Sequence, residues 1–418
     1  MAKDTWYRVD NVAKVFLASV NERDTRSFRV TCNLKEEIDE EILKQAVNKA
    51  AKERPQYQVT ILRGFFWHYM EHTDAEPEVG PENDKPCPNL IDPKSFGKLH
   101  YKVSYYHNRI NLDFCHAIAD GNGAVDFFNL IVSHYLKIKY PDRFEGLSMT
   151  KGASESNLAE DSFRQYYSKE KKYKTKLHKK KAYHLRGAKL PYYQTQFMEI
   201  HMPVKDILAK SKAMEVTLTS YIGAVLMKAI YKDMPVLKRL KPIAISMPVN
   251  LRKYYPSDTA RNFFNSVCIS HVFKGDEDLE EVAKKYQKDL KAELTPEAVA
   301  ERMYNFENIE NLLFIRMVPL FIKNPVVNMV NRNNIAGVTA VLSNLGVFKV
   351  PEEVEDEIES YCAFCSTGSL FVVLLTYKDE LIMGISSAYR NTQVLRDFLK
   401  TFADDGIPVT VYANELME

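Results

Sequence analysis

Apolar and polar positions along this 418-residue chain recur with two periods. Within residues 34–52, Ile38, Ile42, Leu43, Ala46, Val47 and Ala50 return every three or four residues, which predicts one face of an amphipathic helix. The runs YQVTILRG, FFWHYMEH, LHYKVSYYH and NRINLDFCH then read as strands. In the last of them Ile110, Leu112 and Phe114 alternate with Asn111 and Asp113, the period of a half-buried strand. The string ADGNG predicts a turn, and Val125, Phe128, Val132, Tyr135 and Leu136 after it mark a second helical face.

From about residue 141 to 190 this periodicity fades, and Pro, Gly, Ser, Lys and Tyr dominate. Residues 169–181 hold eight lysines and one glutamate, read as a solvated helix or linker. This basic crossover divides the chain into a first part, 1–182, and a second, 183–418. The second part repeats the grammar of the first. TQFMEIHMPV predicts a strand, the run from Val204 to Lys232 a helix, and KPIAISMPVNLR and NSVCISHVF two strands. Helices fill most of 276–334. Strands return at GVTAVLSNLG, ESYCAFCS, LFVVLLTYK and ELIMGISSA, and TQVLRDFLKTFADD predicts a closing helix. Strands and helices mixed in both parts predict an α/β class with mixed sheets. The apolar stretch LLFIRMVPLFIKNPVVNMV, broken by Arg316, Pro319, Lys323 and Pro325, reads as a packed core helix pair, with a substrate-channel wall as the alternative.

Composition narrows the function classes. Lys+Arg number 57 against 55 Asp+Glu, a net charge of +2, which is not the footprint of a nucleic-acid binder. The clean apolar run 370–375 is far too short to span a bilayer, and the N-terminus lacks the pattern of a secretory signal. Six cysteines suit a reducing cytoplasm better than a disulfide scaffold. Cys362 and Cys365 form a lone C-x-x-C in a strand-like run, with no second pair to complete a zinc site, and are expected to be two buried thiols. His68 and His72 have the spacing of a helical metal pair, but their segment reads as strand, where that spacing opens to about 13 Å. No metal site is expected. Small-molecule chemistry is the leading class.

His116 stands apart. It follows the alternating strand directly, at the carboxyl end where α/β sheets form ligand crevices. Asp120 and Gly121 follow in a turn that opens a helix. A histidine so placed suits a general base at neutral pH. An equally good reading at this point is a capping turn, with Asp120 or Asn122 as N-cap and His116 a satisfied edge residue.

The string HAIADG, residues 116–121, resembles the H-x-x-x-D-G signature of the chloramphenicol-acetyltransferase-like superfamily of acyl-CoA-dependent acyltransferases and condensation domains. LKEEIDEEILKQAVNKAAKERPQYQ resembles the family's first helix, PVNLRKYYPSDTARNFFNS its loop after the midpoint, and TAVLSNLG a later strand with a Ser-Asn pair. The whole is similar to the bacterial alcohol acetyltransferase-like branch. The resemblance implies two similar α/β lobes with a tunnel between them. It implies His116 as general base, with no acyl-enzyme. Asp120 would pair with Arg252, Gly121 would permit the tight turn, and Ser343 and Asn344 are candidates for the oxyanion or substrate. It also implies acyl-CoA as co-substrate with no tightly bound cofactor, a small alcohol or amine as acceptor, and a cytoplasmic monomer. Two alternatives remain: a donor on an acyl carrier protein, and a non-catalytic ligand-binding member. Cys115 stands where condensation domains carry an additional histidine, and the D-F-G-W-G motif of the plant branch is missing.

Overall fold

The computed structural model describes residues 6–83, 85–91, 97–150, 154–167, 181–311 and 317–416. The lysine-rich stretch lies outside them, apart from Lys181.

Three sheets organise the chain. A small antiparallel sheet has the order β1 (Trp6–Arg8), β4 (His68–His72), β3 (Val59–Arg63). A five-stranded sheet runs β12 (Ile358–Cys365), β2 (Ser27–Leu34), β7 (Arg109–Cys115), β6 (Tyr101–Tyr106), β5 (Val79–Pro81). A seven-stranded sheet runs β10 (Phe264–His271), β9 (Ile243–Asn250), β11 (Ala340–Phe348), β13 (Leu370–Tyr377), β14 (Glu380–Ser387), β8 (Gln196–Pro203), β15 (Thr410–Ala413). The two larger sheets are mixed. β11 lies parallel to β9 and β13, and β5 parallel to β6, while their other pairings are antiparallel. Each has its own apolar core, so the molecule is a mixed α/β structure of two lobes.

The helical faces read from the sequence are buried where expected. Leu43, Ala46, Val47 and Ala50 of α2 (Glu40–Glu53) and Phe128, Val132, Tyr135 and Leu136 of α3 (Gly121–Lys139) pack into the first core. In β2, SFRVTCNL alternates polar Ser27, Arg29, Thr31 and Asn33 with apolar Phe28, Val30, Cys32 and Leu34, yet nearly every position is buried, and the buried Arg29 is paired with Asp113. Leu34 closes that strand and is not part of the following helix. The predicted helix over 204–232 is two, Val204–Ala213 and Leu218–Asp233, broken where Glu215 adopts φ +56°.

The lobes do not follow the chain strictly. β12, from the second part, hydrogen-bonds along β2 and forms an edge of the first lobe's sheet. It also passes over β14, where a Cβ at Gly384 would overlap the Ala363 carbonyl oxygen. A side chain at 384 would hold the two sheets apart. Arg109 on β7 reaches across to the buried Glu199 on β8 at 2.8 Å.

The apolar stretch beyond residue 312 corrects its expectation. Residues 312–316 lie outside the description, and of the helix Leu320–Ile335 only Leu320 is buried. Lys323, Arg332 and five asparagines interrupt the apolar positions, and the less exposed positions include Lys323, Asn324, Asn328 and Asn331.

Candidate active site

His116 sits where β7 gives way to the turn before α3. Its backbone N–H donates to the Arg26 carbonyl at 2.9 Å, and the Asn262 side-chain amide donates to its carbonyl at 2.9 Å. Three phenylalanines from three elements close on the imidazole. Ring centroids lie 4.5 Å away for Phe28 on β2, 5.0 Å for Phe16 on α1 (Asn11–Ser19) and 5.8 Å for Phe264 on β10. This apolar surround desolvates the ring and lowers its pKa to about 4, against the opposing pull of the Asp120 charge. The neutral form therefore dominates at pH 7. Nδ1 is buried and makes no close hydrogen bond.

Asp120 caps α3. Its Oδ1 accepts from the backbone N–H groups of Asn122 and Gly123, both at 3.1 Å. Its Oδ2 accepts from the Phe263 N–H at 3.0 Å and from Arg252 Nη1 at 2.7 Å. The carboxylate is 3% exposed and the guanidinium 14%. Arg252 also donates to the Thr259 and Arg261 carbonyls, gathering its own loop around the pair. Capping and the cross-lobe ion pair thus coexist in one carboxylate.

Gly121 lacks the positive φ that a tight turn would need; it begins α3, and a Cβ there would lie 3.3 Å from Leu345 Cδ2. The closer approach is at Gly123, where a Cβ would overlap the Ala260 carbonyl oxygen. Ser343 and Asn344 lie on β11, just before a bulge. The Asn344 amide donates to Thr219 Oγ1 at 2.8 Å, and its Oδ1 accepts from the Gly346 N–H at 2.8 Å. Ser343 is half-buried.

Sequence reasoning missed the aromatic cage and Asn262. Phe16, Phe28 and Phe264 are scattered over the chain, and nothing in their spacing signals a common neighbour. Asn262 lay inside the quoted midpoint loop; besides the His116 carbonyl, it bonds Asp10, the buried N-cap of α1. Arg26 was also missed: it adopts φ +54° and lies over the Phe16 ring at 5.4 Å. His68 and His72 fall in strand β4, and Cys362 and Cys365 are buried in β12.

The model of the family described as alcohol acetyltransferase matches residues 147–373, more than half of the chain. The chain belongs to the alcohol acetyltransferase family. The matched span holds Arg252, Ser343 and Asn344; His116 and Asp120 precede it. Solved structures extend the fold over the whole chain. Trichothecene 15-O-acetyltransferase TRI3 from Fusarium sporotrichioides is 14% identical, with 96% of this chain and 94% of that one covered at a TM-score of 0.61. TRI101 of F. sporotrichioides, complexed with coenzyme A and T-2, is 10% identical, with 97% and 99% covered at 0.64. The first condensation domain of the CDA synthetase is 10% identical, with 96% and 95% covered at 0.61. No curated protein matches the sequence significantly. Among the described residues no single helix is long and apolar enough to cross a membrane.

Proposed function

We propose that this chain transfers an acyl group from a coenzyme A thioester to the hydroxyl of a small, largely apolar molecule, with His116 as general base. The observation that carries the reading is the His116 imidazole, enclosed by three phenylalanines at a joint that both lobes build. Family membership and the coenzyme A complex of the TRI101 relative support the reaction class.

In this scheme Nε2 takes the proton of the acceptor hydroxyl as its oxygen attacks the thioester carbonyl carbon. The carbonyl electrons move to oxygen, then return as the C–S bond breaks. The departing thiolate takes the proton back from the imidazolium. A thiolate whose thiol has a pKa of about 8.5 is a far stronger base than an imidazole whose imidazolium has a pKa of about 4, so that return is downhill. No acyl-enzyme forms. Asp120 and Arg252 act as positioning residues for the turn. Ser343 is our candidate donor to the oxyanion, where one fixed donor is worth roughly 3–4 kcal/mol. Asn344 is the weaker candidate, because Thr219 and Gly346 already hold its amide. The phenylalanine cage favours an apolar acceptor or acyl chain.

The test is a donor-by-acceptor screen with mass detection, pairing acyl-CoA and carrier-bound thioesters with alcohols and amines. Ester formation from coenzyme A donors is expected. Transfer from carrier-bound donors alone would replace the reading with the condensation-type alternative, and ligand binding without turnover would replace it with the non-catalytic one.

A further inference from the structure

The helix Leu320–Ile335 wears its polarity inside out. Its exposed positions include Phe321, Ile322, Val326, Met329 and Val330, which step by 1, 4, 3 and 1 along one broad face, and in the last turn Arg332, Asn333 and Asn334. The less exposed positions between them include Lys323, Asn324, Asn328 and Asn331. A helix packed for its own stability does the reverse. Phe321 is 61% exposed and Met329 58%.

A second apolar element adjoins it. The turn between β3 and β4 carries Phe65, Phe66 and Trp67, all exposed, with Phe65 at 65%. The Leu320 N–H donates to the Phe65 carbonyl at 2.8 Å, and the rings of Phe65 and Phe321 lie 6.4 Å apart. Trp6, 59% exposed, stands on β1 of the same small sheet. Isolated exposed apolar residues need no explanation, but two adjoining elements form a continuous patch.

Charge narrows the choice of occupant. Residues 317–335 contain no Asp or Glu, and their charged residues are Lys323 and Arg332. The turn segment 59–70 likewise lacks acids and carries Arg63. Glu71 stands beyond it, paired across the strands with Trp6. Aromatic and aliphatic side chains on two acid-free segments that carry cations, with Glu71 at the edge beside Trp6, complement the boundary between anionic headgroups and acyl chains.

We propose that this face is a docking surface for an anionic lipid bilayer, held by the apolar face of Leu320–Ile335 and the Phe65–Trp67 turn, with the exposed Arg63 and Arg332 toward the headgroups, while Lys323 holds the Phe66 carbonyl. The inference goes beyond the acyl-transfer reading and stands without it.

The chain carries its own reporters, because its two tryptophans, Trp6 and Trp67, both lie in the patch. The full chain is mixed with phosphatidylcholine vesicles, with and without a minority of phosphatidylglycerol. Tryptophan emission and co-sedimentation are read together. The expected result is a blue shift and sedimentation with the anionic vesicles, weakened by salt. Phe321→Asp and Val326→Asp should each lower the partition coefficient roughly tenfold, as losing an apolar side chain from the contact implies. Their melting temperatures should match that of the parent, since both positions are exposed. Absence of a shift with anionic vesicles, or partitioning unchanged in both variants, would overturn the proposal. So would a vesicle-free dimer that the same substitutions dissolve, because a second copy would then be the occupant.

Discussion

Asp120 and His116 divide the work of one turn. Asp120 is nearly sealed from water and satisfied from both lobes, by Asn122, Gly123, Phe263 and Arg252. Removing Arg252 strands the carboxylate, so Arg252→Ala should lower stability by roughly 3–5 kcal/mol in denaturant unfolding. An unchanged unfolding midpoint would contradict the pair's structural weight. His116 is distinguished by its low pKa. Desolvation holds it near 4, below the 6.5 of a free imidazole. Between those values the unfolded chain takes up a proton that the folded chain refuses. Its contribution to stability is therefore present above about pH 6.5 and lost as pH falls through about 4. Asp10 runs the other way. Burial raises it to about 6, so its contribution is present below 3.8 and lost as pH rises through 6. Activity should follow His116: kcat/KM stays level from neutral pH down to about 6 and falls only toward 4. A half-loss near pH 6.5 would mean that the working imidazole is solvated. The H-x-x-x-D-G string was legible because its residues are adjacent in sequence. The three phenylalanines were not, because only folding brings them together.

At the scale of elements, two glycines set how closely the lobes approach. Gly123 lets α3 lie against the Ala260 carbonyl, and Gly384 lets β14 lie under the Ala363 carbonyl. Gly123→Ala and Gly384→Ala should each lower the melting temperature markedly, while Gly80→Ala, with open space around its Cβ position, serves as a neutral control. Equal melting of all three variants would show that the joints yield. Sequence periodicity served the elements unevenly. It located α2 and α3 because each has one wet and one dry face. The alternation of SFRVTCNL marks β2 as clearly as that of β7, although both of its faces are covered, but periodicity fused the helices Val204–Ala213 and Leu218–Asp233, whose break rests on one residue's backbone. Of its two readings for Leu320–Ile335, a packed core helix and a channel wall, the first fails, because only Leu320 is buried. Content does not report which way a face points, and this helix points its apolar side out.

At the scale of the molecule, the two lobes form one unit. The loop from Asn250 to Phe264 delivers Arg252, Asn262 and Phe264 to a histidine from the first lobe. β12 returns from the second part to cover β2. Expressed alone, residues 1–182 would leave the buried β2 as a bare edge strand, a template for aggregation. That fragment is expected to be insoluble, and to recover soluble structure only when co-expressed with 183–418. A fragment that folds and melts cooperatively by itself would contradict this sharing. The class of the fold was legible from mixed strand and helix patterns. The return of β12 was not, because hydrophobic patterning shows that a strand is buried without showing beside which neighbour. The central claim is that His116 removes the acceptor's proton during transfer from coenzyme A. Its most direct measurement is acceptor-dependent release of free coenzyme A from acetyl-CoA, compared between the parent chain and a folded His116→Ala variant. A loss of roughly 10²–10⁴-fold is expected in the variant; release at the parental rate would show that His116 is not the base.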